Sequence, residues 1–141
     1  MTAVTENDLS ALSKPELLRL VQRMRHRSWV RVEKTDVLEV QHEEAWSQAQ
    51  AAFDASIAMT GKVDAAHSAA LKAIQACSAA RDNGGNVRKA INDMEAASAA
   101  ASALQAEKDK LWATYERLDR RAAKLRKQLD AEWERGRERC A

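Results

Sequence analysis

The chain has 141 residues and a formal net charge of +2, and it has the size of one domain or of one extended helical unit. Four Gly, one Pro, one Phe and one Tyr are too few for a β-sheet or turn-rich fold, and alanine is abundant. The small net charge excludes a strong overall field favouring nucleic acid or an anionic membrane. We expect an all-α protein, either an elongated antiparallel helical hairpin or a three-helix coiled-coil bundle, with a long C-terminal helix.

The first strong helix signal follows a short N-terminal lead-in, residues 1–13. Ser13 suits an N-cap, Pro15 suits the first turn, and Glu16 stands three residues after the Ser, as in a capping box. A helix should therefore begin here, and we expect a single alanine-rich helical coiled-coil domain over 14–141.

This first helix is predicted to run from about 14 to 59, because no further Gly or Pro interrupts the chain before Gly61. Thr35 and Asp36 leave open a fresh start within it. Apolar residues at helical spacing predict the inward face near its beginning; they include Leu17, Val21 and Met24.

A break is predicted at Gly61, followed by a second helix over about 63–82. Its predicted inward residues are Val63, Ala66, Ala70, Leu71, Ile74 and Cys77. The sequence Asn83-Gly84-Gly85-Asn86 is the clearest turn signal, because Asn and Gly tolerate positive φ. A third helix should then extend over about 87–137.

The last helix carries a heptad pattern over about five repeats. Its predicted seam, within the bundle or between subunits, consists of Met94, Ala101, Leu104, Leu111, Tyr115, Leu118, Leu125 and Leu129. Packing within one chain and packing between chains bury the same face, so the pattern leaves both arrangements open.

Four arginines spaced by four residues form an arginine stripe near the N-terminus, and they are Arg19, Arg23, Arg27 and Arg31. Such a helix face can lie along a phosphate backbone, with Trp29 nearby to stack on a base. The alternative is pairing with acidic side chains, either Glu43 and Glu44 of a neighbouring subunit or acids on the last helix.

Four tryptophans are unusual beside one Phe and one Tyr, and they are Trp29, Trp46, Trp112 and Trp133. We interpret them as core residues that fill space where the alanine layers stop. The alternative is exposure as anchors for a partner, where Trp is enriched.

No motif for catalysis, a metal or a cofactor is recognisable. Glu39 and His42 form one Glu-x-x-His pair, whereas a di-metal bundle needs that motif on paired helices. Cys77 and Cys140 stand far apart, which favours a small buried residue and an incidental tail thiol.

The sequence therefore predicts a non-enzymatic interaction protein, self-associating or partner-binding, that serves as a structural or assembly component of a larger complex. A homo-oligomer is expected. Nucleic acid bound by Arg19–Arg31 is the alternative, and an inhibitor using the acidic residues of 36–54 is a third hypothesis. No signal peptide or membrane span is recognisable, so we expect a cytoplasmic protein or a virion component, of bacterial or phage origin by composition.

Overall fold

The computed structural model describes residues 3–27 and 31–141, without the side chain of Arg27. The helices are α1 (Glu6–Ser10), α2 (Lys14–Arg27), α3 (Lys34–Asn83) and α4 (Val87–Cys140). The described ranges contain no strand, and α3 and α4 pack closely on each other, so the prediction of an all-α helical hairpin is confirmed. None of the described helices combines the length and apolar character needed to cross a membrane.

Side-chain caps fix the starts of α1 and α2. Thr5 and Asp8 form a reciprocal capping box at α1. At α2 the Glu16 N–H donates to Ser13 Oγ at 3.4 Å, and the Ser13 hydroxyl donates to Glu16 Oε1 at 2.9 Å. The predicted helix start after Ser13 is therefore confirmed.

The prediction of one helix over 14–59 is wrong. Residues 31–33 are not helical, and α3 begins at Lys34. The carboxylate of Asp36 accepts a hydrogen bond from the Glu33 N–H at 3.0 Å, which satisfies a backbone donor that no helical carbonyl reaches. The alternative of a fresh start near Thr35 and Asp36 thus describes this segment better.

The predicted break at Gly61 is also wrong, because α3 continues through it to Asn83. Gly61 is exposed, and a Cβ built there would meet no atom within 4 Å. A glycine inside a helix costs only about 1 kcal/mol relative to alanine. The alanine-rich segments on both sides offset that cost, so the helix does not end.

The predicted turn at 83–86 is confirmed. Gly84 has φ +68°, and the Gly85 N–H donates to the carbonyl of Ala80 at 2.9 Å, which is the pattern of a Schellman helix end. Asn86 then caps α4 by accepting from the Lys89 N–H at 3.1 Å. The helix α4 includes Gly136 and ends at Cys140, three residues beyond the predicted end.

The packing divides the chain into two units. Unit 1 comprises residues 1–50 and 115–141, and unit 2 comprises residues 51–114. The prediction of a single domain over 14–141 stays a prediction.

Unit 1 contains two apolar clusters. One joins α1 and α2 to α3, and its buried members are Leu12, Leu20, Val37 and Val40. The other joins α3 to α4 and consists of Leu38, Ala45, Ala122, Leu125 and Leu129. Leu17 and Val21 of α2 are exposed instead of inward. The buried face of α2 passes through Glu16 and Leu20, so the predicted inward placement is wrong for Leu17 and Val21, whereas Met24 packs against the first cluster as predicted.

Unit 2 has a narrow core of small side chains. The buried residues of α3 recur every seven residues, and they are Ser56, Val63, Ala70 and Cys77. Ala52 of α3 and Ala101 of α4 are also buried. Leu71 and Ile74 are exposed, which corrects their predicted inward placement, because small residues let two helices approach closely and leave no room for larger ones.

Candidate interaction surfaces

An ion-pair cluster joins the arginine stripe of α2 to α3 within unit 1. Arg19 lies 3.1 Å from Glu44 and 3.7 Å from Glu43. Arg23 forms ion pairs with both Glu39 and Glu43. The carboxylates of one chain therefore engage these two guanidinium groups, which removes the need for a neighbouring subunit to supply Glu43 and Glu44.

The electrostatics of Arg23 follow from its position between two carboxylates. Partial burial lowers the pKa of its guanidinium, but hydrogen bonds and charge attraction from Glu39 and Glu43 outweigh burial and raise that pKa above its usual value. Arg23 therefore carries its positive charge at neutral pH.

The remaining members of the predicted phosphate site are Arg27, Arg31 and Trp29. Trp29 and the side chain of Arg27 lie outside the described residues, and Arg31 is exposed beyond the described end of α2. The use of these four arginines and Trp29 as a phosphate site stays a prediction. The acidic residues of α3 that favoured an inhibitor are partly engaged by Arg19 and Arg23.

A second surface lies on α3 in unit 2, beside the buried heptad stripe, and we call it the flank surface. Its large aliphatic members are Ile57, Leu71 and Ile74, with exposed fractions of 55%, 57% and 47%. Between them on the same face stand the polar residues Thr60, Asp64 and His67. All six occupy two neighbouring heptad positions, so they form one continuous stripe along the helix.

An aromatic pair lies in unit 2 near the start of the flank surface, because Phe53 precedes Ile57 on α3 by about one helical turn. The rings of Phe53 and Trp112 have centroids 6.3 Å apart and planes tilted by 48°, a favourable aromatic arrangement. Trp112 nevertheless remains 42% exposed.

The three tryptophans that the structure describes do not fill the core as predicted. Trp46, Trp112 and Trp133 are all exposed, and Trp29 lies outside the described residues. The guanidinium of Arg126 stands 5.4 Å from the ring centroid of Trp133, which is within cation–π distance. The core-filling interpretation is therefore wrong for these three.

A cleft of about 500 Å³ lies in unit 1 between the first turn of α3 and the last turns of α4. Two of its carboxylates are buried, those of Asp36 and Glu132. Asp36 accepts from the Glu33 N–H, and Glu132 pairs with Arg135 at 2.9 Å. Both carboxylates thus have partners within three residues of themselves. Asp36 caps the start of α3, and Glu132 forms an ion pair within α4.

Each residue of the predicted heptad seam is at least half-buried on α4. Ala101, Leu118, Leu125 and Leu129 are buried, and Met94, Leu104, Leu111 and Tyr115 are half-buried. Leu125 and Leu129 belong to the cluster that contains Leu38 and Ala45 of α3. At this layer the seam therefore packs within the chain.

Within the described residues, no three His, Cys, Asp or Glu side chains are arranged to hold a metal ion. His42 of the Glu39-x-x-His42 pair is half-buried, Cys77 is buried in unit 2, and Cys140 is exposed at the end of α4. The flank surface was not predicted from the sequence. Its signal was that α3 carries two adjacent rows of residues at heptad spacing, one of small residues and one that includes Ile57, Leu71 and Ile74.

No protein family, curated protein or solved structure that was compared matches this chain. Function therefore has to be inferred from the chemistry of the chain's own surfaces. The large exposed aliphatic side chains of its described part lie on the flank surface and on α2, where they are Leu17, Leu18 and Val21.

Proposed function

We propose that this chain is a non-enzymatic helical protein that self-associates through the flank surface and serves as a structural component of a larger assembly. The observation that carries the proposal is the exposure of Ile57, Leu71 and Ile74 along one stripe of α3. Burying the exposed half of one such side chain is worth about 1 kcal/mol. Several exposed side chains of this size on one helix face are typical of a surface that a partner covers.

The thin core of unit 2 supports the same conclusion. Its largest buried side chain on α3 is Val63, whereas its Ile and Leu residues on that helix point to solvent. Two helices that bury mainly small side chains gain little apolar area per residue. Further helices packed on the flank surface would supply the missing burial, as in four-helix bundles.

The flank surface is a better candidate than the apolar residues of α2. Leu17, Leu18 and Val21 lie within five consecutive residues, whereas the flank surface repeats over 18 positions from Ile57 to Ile74. Helix association depends on such repetition, because successive turns must contact the same partner.

The ion pairs of the arginine stripe argue against nucleic-acid binding. Arg19 and Arg23 already pair with three carboxylates of α3. A phosphate backbone would have to replace those partners, and the net charge of +2 supplies little further attraction.

Light scattering after size-exclusion chromatography tests the proposal. We expect a mass that is a multiple of the chain mass of 15.7 kDa, with an absorbance ratio at two wavelengths typical of protein alone. The Leu71→Asp variant should reduce that mass to one chain, because a buried carboxylate is costly. Circular dichroism should show that its helices remain.

Leu18→Asp is the matched control, because Leu18 and Leu71 have nearly equal exposure, 56% and 57%. It should leave the mass unchanged. Loss of association with Leu18→Asp but not with Leu71→Asp would move the contact to α2 and contradict the proposal. A wild-type protein with the mass of one chain would contradict self-association itself.

A further inference from the structure

The spacing of residues along the flank surface is the same in both directions. From Ile57 the members follow at steps of three, four, three, four and three residues to Ile74. A stripe with this property can pack against a reversed copy of itself without a shift in register. Two-fold symmetric contacts have this form, since residue i of one copy then meets residue j of the other and j meets i.

Resting on the proposed function, we propose that a second copy of the chain packs antiparallel on the flank surface, with Asp64 of each copy facing the partner's His67. In this register Ile57 meets the partner's Ile74, and Thr60 meets the partner's Leu71. Apolar pairs therefore lie at both ends of the contact, and two carboxylate–imidazole pairs lie at its centre.

The charges favour this orientation over the parallel one. A parallel contact in register would place Asp64 against the partner's Asp64, where like charges repel each other. The antiparallel contact replaces two like pairs by two complementary pairs. A carboxylate accepts a hydrogen bond from an imidazole N–H in either protonation state of the ring, so each pair can be satisfied.

Small residues border the centre of the contact. Gly61 and Ser68 are exposed beside the stripe on α3, and a Cβ built at Gly61 would meet no atom of the described residues within 4 Å. Small side chains at these places let two helix backbones approach closely. Close approach of the backbones also brings Asp64 of each copy within reach of the partner's His67.

Cysteine cross-linking tests the orientation. In a Cys77→Ala/Cys140→Ser background, Ile57→Cys and Ile74→Cys variants are purified separately, oxidised alone and oxidised as a mixture. Both positions are exposed, so neither change should disturb folding. We expect covalent dimers in the mixture and none from either variant alone, because disulfides form only between close Cα atoms and equivalent positions lie about 25 Å apart along the helix axis.

Lys62→Cys mixed with Ala69→Cys is the matched control. These positions are symmetric about the same centre but lie on the other side of the buried stripe of α3, and both are exposed. They should give no covalent dimer. Dimers from this pair, or from Ile57→Cys alone, would overturn the antiparallel flank contact.

The mass of the unmodified protein separates the two proposals. A single-chain mass rejects the proposed function together with this inference, whereas an oligomer without cross-linking of Ile57→Cys to Ile74→Cys rejects only the inference.

A second experiment tests the central pairs. Asp64→Lys and His67→Glu should each weaken self-association alone, and an equal mixture should recover the oligomer. In the mixed pair the introduced lysine of one copy would face the introduced glutamate of the other, and the remaining Asp64 would face the remaining His67. Failure of the mixture to exceed either variant alone would overturn the pairing of position 64 with position 67.

Discussion

Arg23 of α2 lies between Glu39 and Glu43, two carboxylates one helical turn apart on α3, and it forms an ion pair with each of them. A planar guanidinium can serve two acceptors at once, whereas a lysine ammonium acts as a compact point charge. This arrangement attaches a basic segment of the chain to the acidic segment that follows it.

Removing this cation should loosen α2 from α3. The Arg23 side chain is 25% exposed and that of Glu43 is 41% exposed, so solvent screening keeps the effect small. We expect Arg23→Ala to lower the free energy of unfolding by about 1 kcal/mol, and by less in about 1 M NaCl. Urea unfolding at two salt concentrations measures this. Lys72→Ala, an exposed cation on α3, should change stability by less than about 0.5 kcal/mol.

Ser56 should tolerate replacement by alanine with a gain in stability. It is 1% exposed in the small-residue core of unit 2, and its hydroxyl oxygen has no hydrogen-bond partner among the residues that the structure describes. Ser56→Ala removes that desolvated group and raises helix propensity, so we expect a gain of about 1 kcal/mol. Thermal unfolding checks it. Ser68→Ala on the exposed side of α3 should gain only about 0.5 kcal/mol; equal gains would contradict a role for burial.

Gly61 offers a second stabilising change. The residue is helical and exposed, and a Cβ there meets nothing within 4 Å. Gly61→Ala should therefore increase the free energy of unfolding by about 1 kcal/mol.

The opposite sign is expected at Gly84, where φ is +68°. Gly84→Ala should lower stability by about 1 to 2 kcal/mol, because an L-residue is strained in the left-handed region. If urea unfolding gave both glycine variants the same sign of change, backbone conformation would not be the cause.

The capping box of α1 should respond to acid. Hydrogen bonds from the backbone N–H of Thr5, and then from its hydroxyl, hold the pKa of Asp8 below its usual 3.8. A carboxyl whose pKa is lowered by folding stabilises the folded state above its unfolded pKa, and this contribution is lost as pH falls through the folded pKa. An NMR titration of Asp8 should therefore have its midpoint below 3.8.

Thr5→Ala is the control for this titration. It removes the hydroxyl and leaves the backbone N–H, so the midpoint for Asp8 should rise toward its usual value. An unchanged midpoint would show that the hydroxyl has no part in the shift.

The local signals at helix ends could be read from the sequence. Ser13 with Glu16, and the Asn83–Asn86 turn, depend on residues within one helical turn, and the structure has both. The inward face of α3 could be read only in part, because Val63, Ala70 and Cys77 are buried as predicted but Leu71 and Ile74 are exposed. The usual assignment places the largest apolar residues inside, whereas here Ser56 and Ala70 are buried and Leu71 is exposed, because close helix contact selects for small volume.

The partners of the arginine stripe within the chain could not be predicted from local sequence patterns either. Spacing by four residues shows that Arg19 and Arg23 share a face, but it contains no information about which element lies opposite. The separate start of α3 at Lys34 brings Glu39 and Glu43 to that face. The sequence favoured one continuous helix there. In such a helix Glu39 and Glu43 would lie several turns away from Arg23 and could not contact it.

The hairpin turn at Gly84 also bears on the order in which the chain folds. Residues close to that turn need only a short loop to meet, whereas Leu38 and Leu129, which share one cluster of unit 1, are joined by a long one. Loop closure costs more entropy as the loop lengthens, although the cost grows slowly. Pairing of α3 with α4 should therefore begin beside Gly84 and advance away from it. Each pair of residues that has formed shortens the loop that the next pair must close. The contacts of Arg19 and Arg23 with α3 do not depend on this order and can form independently.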